Sequence, residues 1–189
     1  IDQSAKVKDK IEYEYAEDGT PLSLFCFITH TYQPATIIGR KMYMYSGPNR
    51  FVEKDPVSVV MDLDKNTIQP LPFTYPEYPG SNDKRKVFGW EDNFSRCFDG
   101  RHFIYSFFFE EEIYVANIPH DSIQKVSVKS KYVNNVSYPK EFGSSPKELC
   151  EQPRYGNLLY DPYRDVYYRI AYPHVTIDEK KEHVRSMEV

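Results

Sequence analysis

The residues best suited to chemistry are scattered along the chain and do not form a recognisable metal motif. Three consecutive acids, Glu110 to Glu112, could bind a cation. They lack the glycine-containing loop and the alternating ligand spacing of calcium sites. The histidines show neither HxH nor HxxxH spacing; they are His30, His102, His120, His174 and His183. We therefore predict no metal site and no cofactor.

Motifs of nucleophilic and phosphate-dependent enzymes are also missing. The sequence contains no GxSxG nucleophile elbow and no glycine-rich phosphate loop. Cys26, Cys97 and Cys150 are odd in number and widely spaced, and none belongs to a CxxC pair, which argues against a zinc site. Their spacing does not decide whether any of them forms a disulfide. The sequence thus predicts no catalytic residues and favours a protein without enzymatic activity.

Arg169 is a polar residue in an unusual position. It lies in an apolar, strand-like run, where an unpaired charge would be costly. One interpretation pairs its guanidinium with a nearby carboxylate, Asp161 or Asp165. The other turns Arg169 toward a central channel, where it would hold an anionic ligand. On the second interpretation Arg169 is a candidate ligand-binding residue.

A long proline-rich link over residues 70–93 carries a second set of candidates, Tyr75, Tyr78 and Trp90. Long loops on a rigid scaffold are common binding sites. Aromatic faces stack on sugars and contribute strongly to protein interfaces. We predict that these three residues bind a glycan or a protein ligand. The alternative is that their rings only pin the loop to the sheet beneath it.

Charge and hydropathy limit the classes of partner. The net charge is −4, and the only basic run is Lys84 to Lys86 in a polar loop, so nucleic acid is not a predicted partner. No stretch approaches the ~18 apolar residues of a transmembrane helix. No signal peptide is recognisable, and Ile1 is not a natural first residue, so we expect a processed or trimmed chain.

An internal repeat indicates which elements position these residues. The segment Leu63–Leu71 aligns with Ile118–Val126 after a shift of 55 positions, and Gly39 aligns with Gly100 after a shift of 61. A further copy runs from Leu158 to Ile170. Each copy is typical of strands joined by tight turns, and the 16% aromatic content favours β structure. Four antiparallel strands in a recurring unit are typical of a β-propeller blade.

The pattern of His102–Phe109 supports the same fold class. Both faces of this predicted strand are apolar, so both faces need to be covered. We predict an all-β domain made of β-propeller-type blades of four antiparallel strands. The predicted units are a hairpin of a preceding blade in 1–35, blades at 36–73 and 94–133, and the start of a further blade at 155–175.

These units cannot close a ring by themselves. Propellers have about four to eight blades, whereas this chain supplies two complete units and parts of others. We therefore expect the chain to be a fragment of a longer propeller, or else to need copies of itself for closure. The first expectation is favoured, because an open propeller would expose apolar blade faces.

Two segments, Phe98–Phe107 and Tyr155–Arg169, resemble an uncharacterised family of propeller-like proteins. Its members are predicted lipoproteins of Gram-negative gut anaerobes. The resemblance covers residues 36–175 and implies a propeller of about six or seven blades. It also implies a location in the cell envelope, as a periplasmic or surface lipoprotein. The family supplies no catalytic residues for this chain.

Two functional hypotheses remain. The first is a non-catalytic binding or scaffold propeller that recognises a glycan or a protein through its loops. The second is a glycoside-processing propeller of the sialidase type, which would use a tyrosine nucleophile with carboxylates and arginines. The Ser-x-Asp-x-Gly-x-Thr-Trp box typical of that class is absent from the sequence. The first hypothesis is therefore preferred.

Overall fold

The computed structural model describes residues 14–19, 33–47, 56–76, 94–133, 136 and 151–176. These residues contain ten β-strands: β1 Thr36–Ile38, β2 Lys41–Tyr45, β3 Ser58–Asp62, β4 Thr67–Pro70, β5 Phe94–Phe98, β6 His102–Phe107, β7 Glu112–Asn117, β8 Ile123–Ser127, β9 Arg154–Asp161 and β10 Val166–Tyr172. The predicted all-β class is confirmed.

The strands form three antiparallel groups in chain order. Strands β1–β4 make one four-stranded sheet (sheet 1), β5–β8 make a second (sheet 2), and β9 pairs with β10 in a third hairpin. Within each of the two sheets, strands that follow one another in the chain pair with each other, so each sheet is a simple meander. The predicted four-stranded antiparallel unit is therefore confirmed. The hairpin predicted within 1–35 lies mostly outside the described residues.

Two of the tight turns use the same local chemistry. The carboxylate of Asp62 accepts the main-chain N–H groups two and three residues later, both at 3.0 Å. Asp161 does the same at 2.9 and 3.3 Å. The fifth residue of each turn, Asn66 or Asp165, has φ of 54°, a left-handed conformation that short polar residues tolerate. The β3–β4 and β9–β10 turns are thus specified by their own residues.

Sheet 2 lies between sheet 1 and the third hairpin. Every residue of β6 from Phe103 to Phe107 is buried. Its aromatic side chains at 103, 105 and 107 pack on Tyr43 and Phe73 of sheet 1 and the segment that follows it. On the opposite face, Ser106 bonds to the third hairpin. The prediction that this strand is covered on both faces is confirmed.

Substitution of Asn66, the residue with positive φ in the β3–β4 turn, tests whether the turn is stabilised by its own residues. We expect Asn66→Val to lower the free energy of unfolding by about 1–2 kcal/mol, because a β-branched residue is strained at positive φ. Asn66→Gly should be neutral or slightly stabilising, since glycine adopts this conformation without strain. Urea unfolding curves measure both effects.

Lys65→Val is the matched control for this turn, because Lys65 is equally exposed and is not a positive-φ residue. A loss of stability in Lys65→Val as large as that in Asn66→Val would show that backbone strain at residue 66 is not the cause.

Candidate functional site

The most deeply buried charge in the described residues belongs to Arg96 in β5, which is 2% exposed. Its guanidinium donates to the carbonyl of Pro34 at 2.6 Å, the carbonyl of Tyr43 at 3.2 Å and the Oγ of Ser58 at 2.9 Å. It also lies 5.3 Å from the ring centroid of Phe103. Neutral oxygens and an aromatic face stabilise the buried cation. Arg96 thereby joins sheet 2 to sheet 1.

A hydrogen-bonded chain extends from Arg96 into sheet 2. The Oγ of Ser58 is 2.9 Å from the hydroxyl of Tyr105, which is 2.5 Å from Nε2 of His120. The Nδ1 of His120 is 2.9 Å from the carbonyl oxygen of Ile118. A carbonyl can only accept, so Nδ1 carries the proton and Nε2 accepts from Tyr105. Each hydroxyl can then donate to the next member of the chain.

Burial keeps the two titratable members of this chain neutral. Burial and, to a smaller extent, the charge of Arg96 lower the pKa of His120 to about 4, although the bond to the Ile118 carbonyl opposes the change. Burial also raises the pKa of Tyr105. All three side chains, at 96, 105 and 120, are almost completely excluded from solvent. This network can hold the sheets together, but it presents no reactive group to a substrate.

Arg169 makes an equivalent connection between the third hairpin and sheet 2. Its guanidinium donates to Ser106 Oγ at 2.8 Å and to the carbonyls of Glu110 and Glu111 at 2.6 and 2.9 Å. It lies 3.4 Å from the ring centroid of Tyr155. Longer bonds of 3.2–3.4 Å reach the carbonyls of Phe107, Glu112 and Val128. Burial lowers the pKa of Arg169 to about 10, so it is a cation at neutral pH.

The two acids considered as partners of Arg169 bond elsewhere. Asp161 caps its own turn and lies 3.6 Å from Arg164, and Asp165 accepts the hydroxyl of Tyr160 at 2.9 Å. All five N–H groups of Arg169 are taken by Ser106 and main-chain carbonyls. An anionic ligand at Arg169 would have to displace some of these bonds.

The acidic run Glu110–Glu112 has a different role from the one its side chains suggest. Its main-chain carbonyls receive Arg169, while the Glu110 carboxylate accepts from Tyr114 at 2.6 Å and Glu111 pairs with Lys129 at 3.1 Å. Within the part of the chain that the structure describes, no group of three metal-ligating side chains is found. The sequence suggested a role for the carboxylates of this run, but its main-chain carbonyls make the contact between sheet 2 and the third hairpin.

Of the predicted aromatic site, the structure describes Tyr75. Its hydroxyl donates to the carbonyl of Ser46 at 2.8 Å, and its ring lies 6.1 Å from those of Phe94 and Phe107. Tyr75 therefore packs on the sheet 1 side of sheet 2, whereas Arg169 lies on the other side. Tyr78 and Trp90 are outside the described residues.

A surface cluster that the sequence did not suggest lies where the β5–β6 and β9–β10 turns meet. The rings of Tyr160 and Tyr167 have centroids 5.1 Å apart, with planes inclined at 37°. Tyr167 donates to Asp99 at 2.6 Å, and Tyr160 donates to Asp165 at 2.9 Å. We call these four residues the tyrosine platform. A signal was present in the sequence, since both tyrosines flank the Asp-Pro-Tyr-Arg-Asp turn.

Cys97 is a free thiol on β5. Burial raises its pKa to about 12, so it stays protonated and unreactive at neutral pH. Cys26 and Cys150 lie outside the described residues. Among the residues that are described, no helix is long and apolar enough to cross a membrane.

Comparison with known proteins places this arrangement in a family. The family model of DUF4221, a domain of unknown function, matches residues 1–189. The chain belongs to the DUF4221 family. No curated protein matches it. The expectation of an uncharacterised family is thus confirmed for this DUF4221 chain.

A solved structure shares the fold of this DUF4221 chain. It is the crystal structure of a DUF4221 family member from Bacteroides vulgatus ATCC 8482, with 21% sequence identity and a TM-score of 0.69. The match covers 89% of this chain and 49% of the solved chain, so this chain spans about half the length of its neighbour.

The Arg96 contacts predict a large loss of stability on substitution. We expect Arg96→Met to lower the free energy of unfolding of this DUF4221 domain by about 3 kcal/mol, because several buried acceptors lose their donor at about 1–3 kcal/mol each. The midpoint of urea unfolding at constant slope measures the effect. Arg101→Met is the control, since Arg101 is exposed on the neighbouring turn. Equal losses in the two variants would contradict the proposed role of Arg96.

The lowered pKa of His120 leads us to expect that the stability of the domain depends on pH. The pKa of a histidine is 6.5 in the unfolded chain and about 4 in the fold, so the unfolded state binds the proton more tightly. Stability should be complete above about pH 6.5 and fall by about 3 kcal/mol as the pH drops toward 4. His120→Asn should remove this part of the pH dependence, and asparagine suits the φ of 60° at this position.

Urea unfolding at pH 7, 5.5 and 4 measures the difference between the wild type and His120→Asn. His102→Asn is the control, because the side chain of His102 is 45% exposed whereas His120 is buried. The same pH dependence in the wild type and in His120→Asn would exclude a buried neutral imidazole as its source.

Proposed function

We propose that this DUF4221 chain is part of a β-propeller that serves as a non-catalytic binding or scaffold domain in the bacterial cell envelope. The observation that carries the proposal is the stacking of sheet 1, sheet 2 and the third hairpin. Each of the two later units is held to the preceding one by an arginine, the buried Arg96 or the half-buried Arg169. Propeller blades pack on their neighbours face to face in this way.

The exposed edge and face of the third hairpin also support the propeller. The second strand of each four-stranded sheet, β2 or β6, pairs with a strand on either side. The second strand of the third hairpin, β10, pairs within the described residues only with β9. The outer face of this hairpin exposes Leu159, Tyr168 and Ile170. Exposed apolar sheet faces are normally covered. We propose that further sheets of the propeller, or copies of this chain, cover this face.

The position of the reactive side chains favours binding over catalysis. A sialidase-type mechanism needs a tyrosine nucleophile and arginines that a substrate can reach. Tyr105 and Arg96 lie together, but both are buried and fully engaged in the contact between the sheets. Arg169 is engaged in the same manner. The alternative hypothesis of a glycoside-processing enzyme therefore gains no support from the described residues.

The proposed ligand is a glycan or a protein, and the proposed binding loop includes Tyr78 and Trp90. Tyr75 supports this role indirectly, because its bond to Ser46 anchors the start of the loop to the sheets. A rigid anchor lowers the entropic cost of ordering a loop on binding. The proposed cell-envelope location rests on the sequence resemblance to predicted lipoproteins.

A glycan array and a screen of envelope proteins for binding test the proposed function. We expect binding by the full chain that falls at least tenfold in Trp90→Ala, because the indole would supply a large part of the contact. The melting temperature should not change. Tyr132→Ala is the control, since Tyr132 is an aromatic residue outside the proposed loop, is 79% exposed, and should leave binding unchanged when it is lost.

Two results would contradict the proposal. Turnover of a fluorogenic sialoside by the purified chain would replace the binding function with the enzymatic alternative. A structure of a longer homologous chain in which no sheet covers the Leu159, Tyr168 and Ile170 face would contradict the propeller.

A further inference from the structure

We propose that the tyrosine platform, formed by Asp99, Tyr160, Asp165 and Tyr167, is a binding site for a neutral saccharide. This inference rests on the proposed binding function and adds to it a second surface, formed by residues other than the proposed loop, with its own ligand class. The platform is built by two turns, β5–β6 from sheet 2 and β9–β10 from the third hairpin. It therefore exists only when these two units are joined.

The two rings of the platform are fixed before any ligand arrives. The hydroxyl of Tyr167 is held by Asp99 at 2.6 Å, and that of Tyr160 by Asp165 at 2.9 Å. Asp99 is itself fixed, because its other oxygen accepts the main-chain N–H groups of Arg101 and His102 at 2.7 and 2.6 Å. Rings that are already ordered lose little side-chain entropy on binding.

Ionisation does not disturb this arrangement. Burial and the bond to Asp99 raise the pKa of Tyr167, and the bond to Asp165 raises that of Tyr160. The pKa of the Asp99 carboxyl is lowered, since its bonds to Tyr167 and to the turn outweigh the effect of burial. The phenols therefore stay protonated donors and the carboxylate stays a charged acceptor at neutral pH.

The platform remains accessible if further sheets are added. Tyr160 pairs with Tyr167 across the hairpin, and the next pair on the same face is Leu158 with Arg169, which contacts sheet 2. A following sheet would cover the opposite face, which carries Tyr168. At the turn end Tyr167 contacts Asp99 of the β5–β6 turn and is still 42% exposed. The site thus opens toward the end of the sheets and is not closed by stacking.

The polar groups around the rings match a neutral, hydroxyl-rich ligand. Asp165 is exposed, so its carboxylate can accept hydrogen bonds from ligand hydroxyls in addition to that of Tyr160. The nearby charges are largely balanced: Asp161 lies 3.6 Å from Arg164, and Arg101 acts electrostatically on Tyr160. A surface with balanced charge does not select strongly for a cation. Flat ring faces beside fixed acceptors suit the apolar face and the hydroxyls of a pyranose.

Affinity electrophoresis of the full chain tests this inference. The gels contain one of four soluble neutral polysaccharides, namely dextran, xylan, galactomannan or starch. We expect retardation by at least one of them. Tyr167→Ala should weaken it at least tenfold, because the exposed ring is lost. Asp165→Gly should weaken it about threefold, and glycine suits the φ of 54°, so this variant folds even if Tyr167→Ala does not.

Tyr168→Ala is the matched control. Tyr168 is adjacent in the same strand and 47% exposed, but it lies on the opposite face of the hairpin. Its substitution should leave the retardation unchanged.

The results that overturn the inference are distinct from those that overturn the proposed function. Retardation by none of the polysaccharides would exclude the saccharide ligand and leave protein binding or a scaffold role in place. Retardation lost in Trp90→Ala or Tyr168→Ala and kept in Tyr167→Ala would move the site elsewhere and leave the binding function in place. Binding of oligolysine in place of the polysaccharides, lost in Tyr167→Ala, would show that the ligand class is wrong.

Discussion

A guanidinium placed between two sheets without a carboxylate partner constrains the geometry of this fold more than any other interaction. Arg96 and Arg169 each carry a full charge into the contact between two sheets, where only main-chain carbonyls, serine hydroxyls and aromatic rings receive it. Such acceptors cannot follow the cation if it moves, because they belong to strands and turns fixed by their own hydrogen bonds. The relative position of neighbouring sheets is therefore restricted by the directions of these hydrogen bonds.

The surrounding core is consistent with this constraint. The rings of Phe73, Phe94 and Phe107 fill the space between the sheets at centroid distances of 5.3–6.4 Å. Aromatic packing of this kind is compatible with many small displacements, because its energy depends mainly on buried area. Directional bonds to Arg96 select one arrangement among them. The hydrophobic contacts thus supply most of the free energy that holds the sheets together, and the arginines fix the position of one sheet on the next.

Much of the architecture could be predicted from the sequence, because turns and alternation leave local signatures. The Asp-Gly pair at Gly100 and the Asp-Pro-Tyr-Arg-Asp segment both encode turns through their own backbone preferences. The apolar residues on both faces of β6 likewise predicted that both faces are covered. These features depend on residues close together in the chain, which is why a single sequence reveals them.

The contacts between sheets could not be predicted in the same way. Arg96 attracts no attention in the run Phe-Ser-Arg-Cys-Phe, because its neighbour Ser95 is also polar and a charged residue in a short strand is usually exposed. Its partners are main-chain carbonyls, which every residue possesses, so no residue type marks them. The apolar neighbours of Arg169 did mark it as unusual in the sequence. The partners that the sequence suggested, Asp161 and Asp165, were side chains, because a sequence cannot show which main-chain carbonyls will accept a hydrogen bond. The tyrosine platform was missed because Asp99 and Tyr167 are 68 positions apart.

The direction of the two arginine contacts has a consequence for synthesis of the chain. In both cases the guanidinium comes from the later unit and the acceptors from the earlier one, so sheet 1 leaves the ribosome with the Ser58 hydroxyl and the Tyr43 carbonyl still hydrated. Each nascent sheet then serves as the template on which its successor docks. The order of donors and acceptors thus matches the order in which the units leave the ribosome, so the acceptors of each unit precede the arginine that binds them.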